Sequence, residues 1–126
     1  MRDLNIQAGR STPGITYIPE ENVLTISGSS LPENVHAFYK PVIEWIDEFS
    51  LSPILEPPMR IILKIQYYNS GTIRFLAEML KMISRLHEKG LDLSVDWYYE
   101  ADDDIIREAG EELSEILDMQ FNMINY

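Results

Sequence analysis

Residues 59–80 read MRIILKIQYYNSGTIRFLAEML, and the period of the apolar residues changes midway. Up to Tyr68, the residues Ile61, Leu63, Ile65 and Tyr67 alternate with Arg60, Lys64, Gln66 and Tyr68. That two-residue repeat is a strand with one polar face. From Ile73 the repeat lengthens, and Ile73, Leu76, Met79, Leu80, Ile83 and Leu86 fall on one face of a helix. His87 and Lys89 complement the negative end of that helix, and Gly90 stops it. A strand that hands over directly to a helix is the first half of a βαβ unit.

The same grammar continues on both sides. Downstream, LDLSVDWYY at 91–99 sets Leu91, Leu93, Val95, Trp97 and Tyr99 against Asp92, Ser94, Asp96 and Tyr98, a second alternating strand. Asp102, Asp103 and Asp104 open a helix carrying Ile105, Ile106, Ala109, Leu113, Ile116 and Leu117, and DMQFNMINY at 118–126 supplies a last strand. Upstream, SLSPILEPP at 50–58 is a proline-rich connector. Before it, Val35, Phe38, Val42, Trp45, Ile46 and Phe49 form a helical stripe in which Pro41 marks either a kink or a fresh start. ITYIPEENVLTISG at 15–28 is a hairpin around Pro19-Glu20-Glu21-Asn22. Residues 1–14 read as a loose arm, and 15–126 as one domain.

The order is β-β-α-β-α-β-α-β, an α/β fold with a mixed, largely parallel sheet. Strands covered on both faces read as continuous apolar runs, whereas these keep a polar face. The helices are therefore expected mainly on one side.

Composition removes several functions. With 10 basic and 21 acidic residues the net charge is -11, which repels nucleic acid and anionic membrane. The chain has no cysteine, hence no disulfide, no thiolate nucleophile and no cysteine-based zinc site. Dinucleotide, P-loop, nucleophile-elbow and H-E-x-x-H motifs are absent, so no cofactor and no enzymatic activity are expected. His36 and His87 lie on different helices and read as surface residues. The start, MRDLNIQAGRSTPG, carries no apolar signal region, and no stretch is apolar enough to span a bilayer, so a cytoplasmic domain without membrane insertion is expected.

Two sites compete with a purely structural reading. Glu100, Asp102, Asp103 and Asp104 offer carboxylates to a divalent metal, the basis of an alternative reading as a metal-binding module or metal-dependent enzyme. The plainer account is acid in the first turn of a helix, opposite the positive dipole end. An open sheet face around Tyr68 and Tyr98 is a weaker candidate, for a small-molecule sensor.

The junction Asn69-Ser70-Gly71-Thr72 is the remaining place for function. Asn69 or Ser70 is suited to cap the helix, and Gly71 leaves Ser70 unshielded. On these residues alone a cap and turn is the better reading. A phosphate on Ser70 would nevertheless meet free backbone N–H groups and the positive dipole end.

Five pieces in order carry a family resemblance: STP at 11–13, GSSLPEN at 28–34, FYKPVIEW at 38–45, YYNSGTI at 67–73 and WYYEADDD at 97–104. Together they resemble the SiaC family of bacterial regulatory phosphoproteins. The resemblance implies a fold like that of anti-sigma-factor antagonists (STAS-like), with a phosphoswitch at a strand-to-helix junction. It implies a cognate protein kinase, a metal-dependent Ser/Thr phosphatase, and an effector, a diguanylate cyclase, activated by the unmodified form. The modified residue of the family follows the Asn of a Y-x-N segment, which maps onto Ser70, with Thr72 as second choice. On this basis the junction is favoured as a phosphosite over a mere cap. Asn69, Gly71, Ser30, Pro32, Glu33 and Asn34 are the site-adjacent residues, although a turn and helix start, with Pro32 and Glu33 in its first turn, is the slightly better reading of the 28–34 segment.

Overall fold

The computed structural model describes residues 3–126. A six-stranded sheet runs in chain order: β1 (Leu4–Ile6), β2 (Gly14–Ile18), β3 (Val23–Ser30), β4 (Met59–Tyr68), β5 (Leu93–Tyr99) and β6 (Asn122–Asn125). The pairs β1–β2 and β2–β3 are antiparallel, and β3 to β6 are all parallel. Three helices make the crossovers: α1 (Val35–Leu51), α2 (Ser70–Ser84) and α3 (Asp104–Ile116).

Register explains the core. Leu24 lies beside Ile61 and Ile61 beside Val95, while Ile26 lies beside Leu63 and Leu63 beside Trp97. All six side chains are buried. Each such burial contributes about 1.5–3 kcal/mol before chain entropy is counted. All three helices cover this face. Tyr17 of β2 meets Trp45 and Phe49 of α1, with ring centroids 4.5 and 5.8 Å apart. On α2, Leu76, Met79, Leu80 and Ile83 are buried, and Trp97 Nε1 donates 2.8 Å to the Ile106 carbonyl of α3.

Among the described residues no helix covers the opposite face, as the alternation implies. It is tied together by polar contacts instead. Asp96 accepts from Arg60 Nε at 2.6 Å and from Asn122 Nδ2 at 2.8 Å, joining β4, β5 and β6. Lys64 lies 4.4 Å from the ring centre of Tyr126.

Several expectations change. The arm at 1–14 contains β1, whose Leu4 and Ile6 pair with Tyr17 and Ile15; three residues are too short a run to show a period. Pro41 lies inside a continuous α1, on its exposed side, where water can reach the Ala37 carbonyl that loses its i→i−4 donor. That helix is capped by Asn34, whose side chain accepts from Ala37 N, so Pro32 and Glu33 precede it rather than forming its first turn. Ile105 and Ile116 face outward, 70% and 72% exposed. The hairpin loop at 19–22 and the stop at Gly90 (φ 95°) stand as read, with Arg85–Lys89 tightening into a 3₁₀ turn.

One irregularity matters for function. Gly28 pairs with Ile65, but Ser29 pairs with Tyr67, so Gln66 is an extra residue in β4. The bulge reverses the parity of the strand end. Tyr67, which belongs with Ile61 to Ile65 by sequence, is 68% exposed, and Tyr68 packs against the core instead. Tyr68 and Tyr98 therefore do not share the open face.

Candidate functional site

α1, α2 and α3 each begin where β3, β4 and β5 end, so three positive dipole ends gather along one edge of the sheet. The β4–α2 junction sits there.

Asn69, in extended conformation, is the N-cap. Its Oδ1 accepts from Thr72 N at 3.0 Å, its Nδ2 donates to the Pro32 carbonyl at 3.1 Å, and its backbone N–H donates to the Ser30 carbonyl at 3.1 Å. One side chain thus closes α2 and holds the β3–α1 connector. Ser70, the first residue of the helix, is left exposed.

Behind Asn69 lies a buried chain of hydroxyls. Tyr39 OH and Ser30 Oγ are 2.6 Å apart, and Ser30 Oγ and Thr72 Oγ1 are 2.7 Å apart. The Thr72 hydroxyl reaches Asn69 Oδ1 at 2.9 Å and the Ser30 carbonyl at 3.0 Å, either of which can take its proton. Ser30 and Thr72 are completely buried. Burial pushes the Tyr39 phenol above its ordinary value, and the bonds to Ser30 and Thr72 partly offset this. Tyr39 also stacks on Phe75, with centroids 3.9 Å apart.

Gly71 also has a packing role. A Cβ there would lie 2.6 Å from Val35 Cγ2, so glycine lets α1 close onto the start of α2. Arg74, one turn beyond Ser70, is exposed, and among the described residues it makes no ion pair. A groove of about 280 Å³ runs between α1 and α2 beside it, lined by Val35, His36, Tyr39, Arg74 and Glu78 among others.

Of the residues singled out from sequence, Ser30, Pro32, Asn69, Gly71 and Thr72 come together directly. Ser70 adjoins them, Asn34 caps α1 nearby, and Glu33 is exposed. Tyr39 was missed, although Val35, Tyr39, Val42, Ile46 and Phe49 fit the helical period. A buried tyrosine needs a partner for its hydroxyl, and that was the available signal.

The acidic segment is used locally. Asp103 caps α3, accepting from Ile106 N at 3.0 Å, and Asp104 lies 3.3 Å from Arg107. Among the described residues, no group of three His, Asp or Glu side chains is placed to hold a metal ion.

Residues 6–126 match the model of a protein family described as SiaC family regulatory phosphoprotein. The chain belongs to the SiaC family. Its role is accordingly regulatory rather than catalytic. It is 29% identical to an uncharacterized Pseudomonas aeruginosa protein (strain UCBPP-PA14) over 91% of this chain and 90% of that one. Apo-SiaC of P. aeruginosa superposes with a TM-score of 0.82 at 29% identity, covering 99% of this chain and 98% of that one. The P. aeruginosa complex of the diguanylate cyclase SiaD with its activator SiaC matches with a TM-score of 0.87 at 27% identity, covering 98% and 100%. These SiaC structures share the α/β architecture described above. No helix of the described residues is long and apolar enough to cross a membrane.

Proposed function

We propose that this SiaC-family protein is a cytoplasmic partner switch in which reversible phosphorylation of Ser70 releases an effector. The effector is a diguanylate cyclase activated by the unmodified form, as SiaD is by its activator SiaC in P. aeruginosa. A cognate kinase adds the phosphate and a metal-dependent Ser/Thr phosphatase removes it.

The observation that carries this reading is the contrast between two hydroxyls two residues apart. Ser70 is exposed at the first position of α2, whereas Thr72 is fully buried and bonded to Ser30 and Asn69. A kinase can reach Ser70 in the folded protein; reaching Thr72 requires opening the junction. A phosphate at Ser70 gains the first-turn N–H groups, the helix dipole and, one turn on, the Arg74 guanidinium. It leaves the hydroxyl network intact. In an effector interface the same group is a dianion to be desolvated, and about 2.8 kcal/mol lowers affinity a hundredfold.

The test is phosphopeptide mapping of protein purified from its own cells under phosphatase inhibition, followed by effector titration. Phosphate on Ser70, with about a hundredfold weaker cyclase binding, is the expected result, and Ser70→Ala keeps full binding with stability changed by less than about 0.5 kcal/mol. Phosphate on Thr72, or equal affinity of both forms for the cyclase, overturns the assignment.

A further inference from the structure

Three large apolar side chains stand exposed together beside the junction. Leu31 is 42% exposed, Tyr67 68% and Ile105 70%. With Tyr68 and Ile106 they line one depression of about 400 Å³. Its rim is acidic: Glu100, Asp102, Asp103 and Asp104 line the adjoining recess, which shares Ile105.

The patch is not an accident of loop composition. Tyr67 would lie on the core face if β4 were regular; the bulge at Gln66 turns it out. Bulges that re-aim a side chain are enriched beside functional sites. The patch is also continuous with the switch. Tyr67 is three residues before Ser70, and Leu31 lies between Ser30 and Pro32, whose carbonyls both accept from Asn69.

We propose that this Leu31–Tyr67–Ile105 patch is the surface on which the effector docks. Its occupant is an apolar side chain of the cyclase flanked by lysine or arginine. The apolar centre supplies affinity, and the acidic rim selects and steers a basic partner. The proposal rests on the partner-switch reading and adds the face and the chemistry of the partner. It also specifies how phosphate acts. A dianion at the edge of an already acidic surface does not repel a basic partner, so it releases the effector by bulk and desolvation. Salt therefore weakens the unmodified complex without closing the gap between the two forms.

The test uses the full chain and purified P. aeruginosa SiaD as probe, by titration calorimetry. Tyr67→Ser and Ile105→Ser are each expected to weaken binding about tenfold or more. Ile116→Ser, equally exposed at the far end of α3, is expected to bind as wild type does. All three sites are on the surface, so melting temperatures should stay close to wild type. Patch variants that bind like wild type, an equal loss in Ile116→Ser, or a wild-type chain that does not bind the cyclase overturns the proposal. If patch variants are neutral while phosphate on Ser70 still releases the cyclase, the docking face falls and the switch stands. If patch variants weaken binding while phosphate does not, the switch falls and the docking face stands.

Discussion

The two ends of β3 each carry a buried polar knot, and they differ in what surrounds them. At the start, Asn22 sits in the left-handed region (φ 57°) and is completely buried. It accepts from Tyr17 OH at 2.6 Å and donates to the Ile54 and Pro57 carbonyls, both at 2.8 Å. At the finish, Ser30, Tyr39, Thr72 and Asn69 hold the β3–α1 connector to the start of α2. Both knots pin a loop that has no ladder of its own. Only the second adjoins helix N-termini, an exposed hydroxyl and an exposed apolar patch. The lesson is positional. At the carboxyl edge of parallel strands a charged group can be added without dismantling the core, whereas the opposite edge offers no such dipole ends.

The largest effect expected is that of Asn22→Ala. It strands two carbonyls and a phenol and puts a Cβ-bearing residue without a polar side chain in the left-handed region. Urea denaturation should show a loss of about 3 kcal/mol, with cyclase affinity of the folded protein unchanged. Lost affinity at unchanged stability would break the contrast between the two ends.

Next comes Thr72→Val, which keeps volume and removes one hydroxyl from the site knot. A loss of about 2 kcal/mol is expected, together with weakened cyclase binding, because Asn69 then positions Ser70 less firmly. Retained binding despite the lost stability would make this knot as purely structural as the other.

The smallest effect separates the knots by pH. Burial, reinforced by Glu20, pushes the Tyr17 phenol up to about 12, and burial also raises Tyr39. The neutral phenol is thus favoured in the fold, so this stability is complete below the ordinary tyrosine value of 10.0 and is lost as pH rises toward 12. Tyr17→Phe should cost about 1 kcal/mol at neutral pH and give a shallower alkaline decline. An unchanged slope would leave Tyr39, or groups outside both knots, as its source.

Much of this was legible in the residues. The change of period between Tyr68 and Ile73 located the strand-to-helix junction, and the polar alternation of β4 and β5 predicted an uncovered face. The sequence left Asn69 and Ser70 as equal candidates for the cap; the fold gives that role to Asn69 and leaves Ser70 available. What escaped has physical causes. A bulge adds a residue without altering composition, so counting by twos placed Tyr67 inward and Tyr68 outward. Helix phase at the termini of α3 depends on how α3 lies on Trp97, which put Ile105 and Ile116 outside. Asn22 read as an ordinary loop residue because its partners are 32 and 35 residues away along the chain. The metal alternative rested on acidic density, which records nothing about convergence.

The sheet's outer members have a consequence for behaviour at high concentration. Among the described residues β1 pairs only with β2 and β6 only with β5, and they span three and four residues. Each presents too few unpaired backbone groups to template a further strand from another molecule. The lateral borders therefore disfavour edge-to-edge polymerisation, and the carboxyl edge can meet other molecules without that hazard.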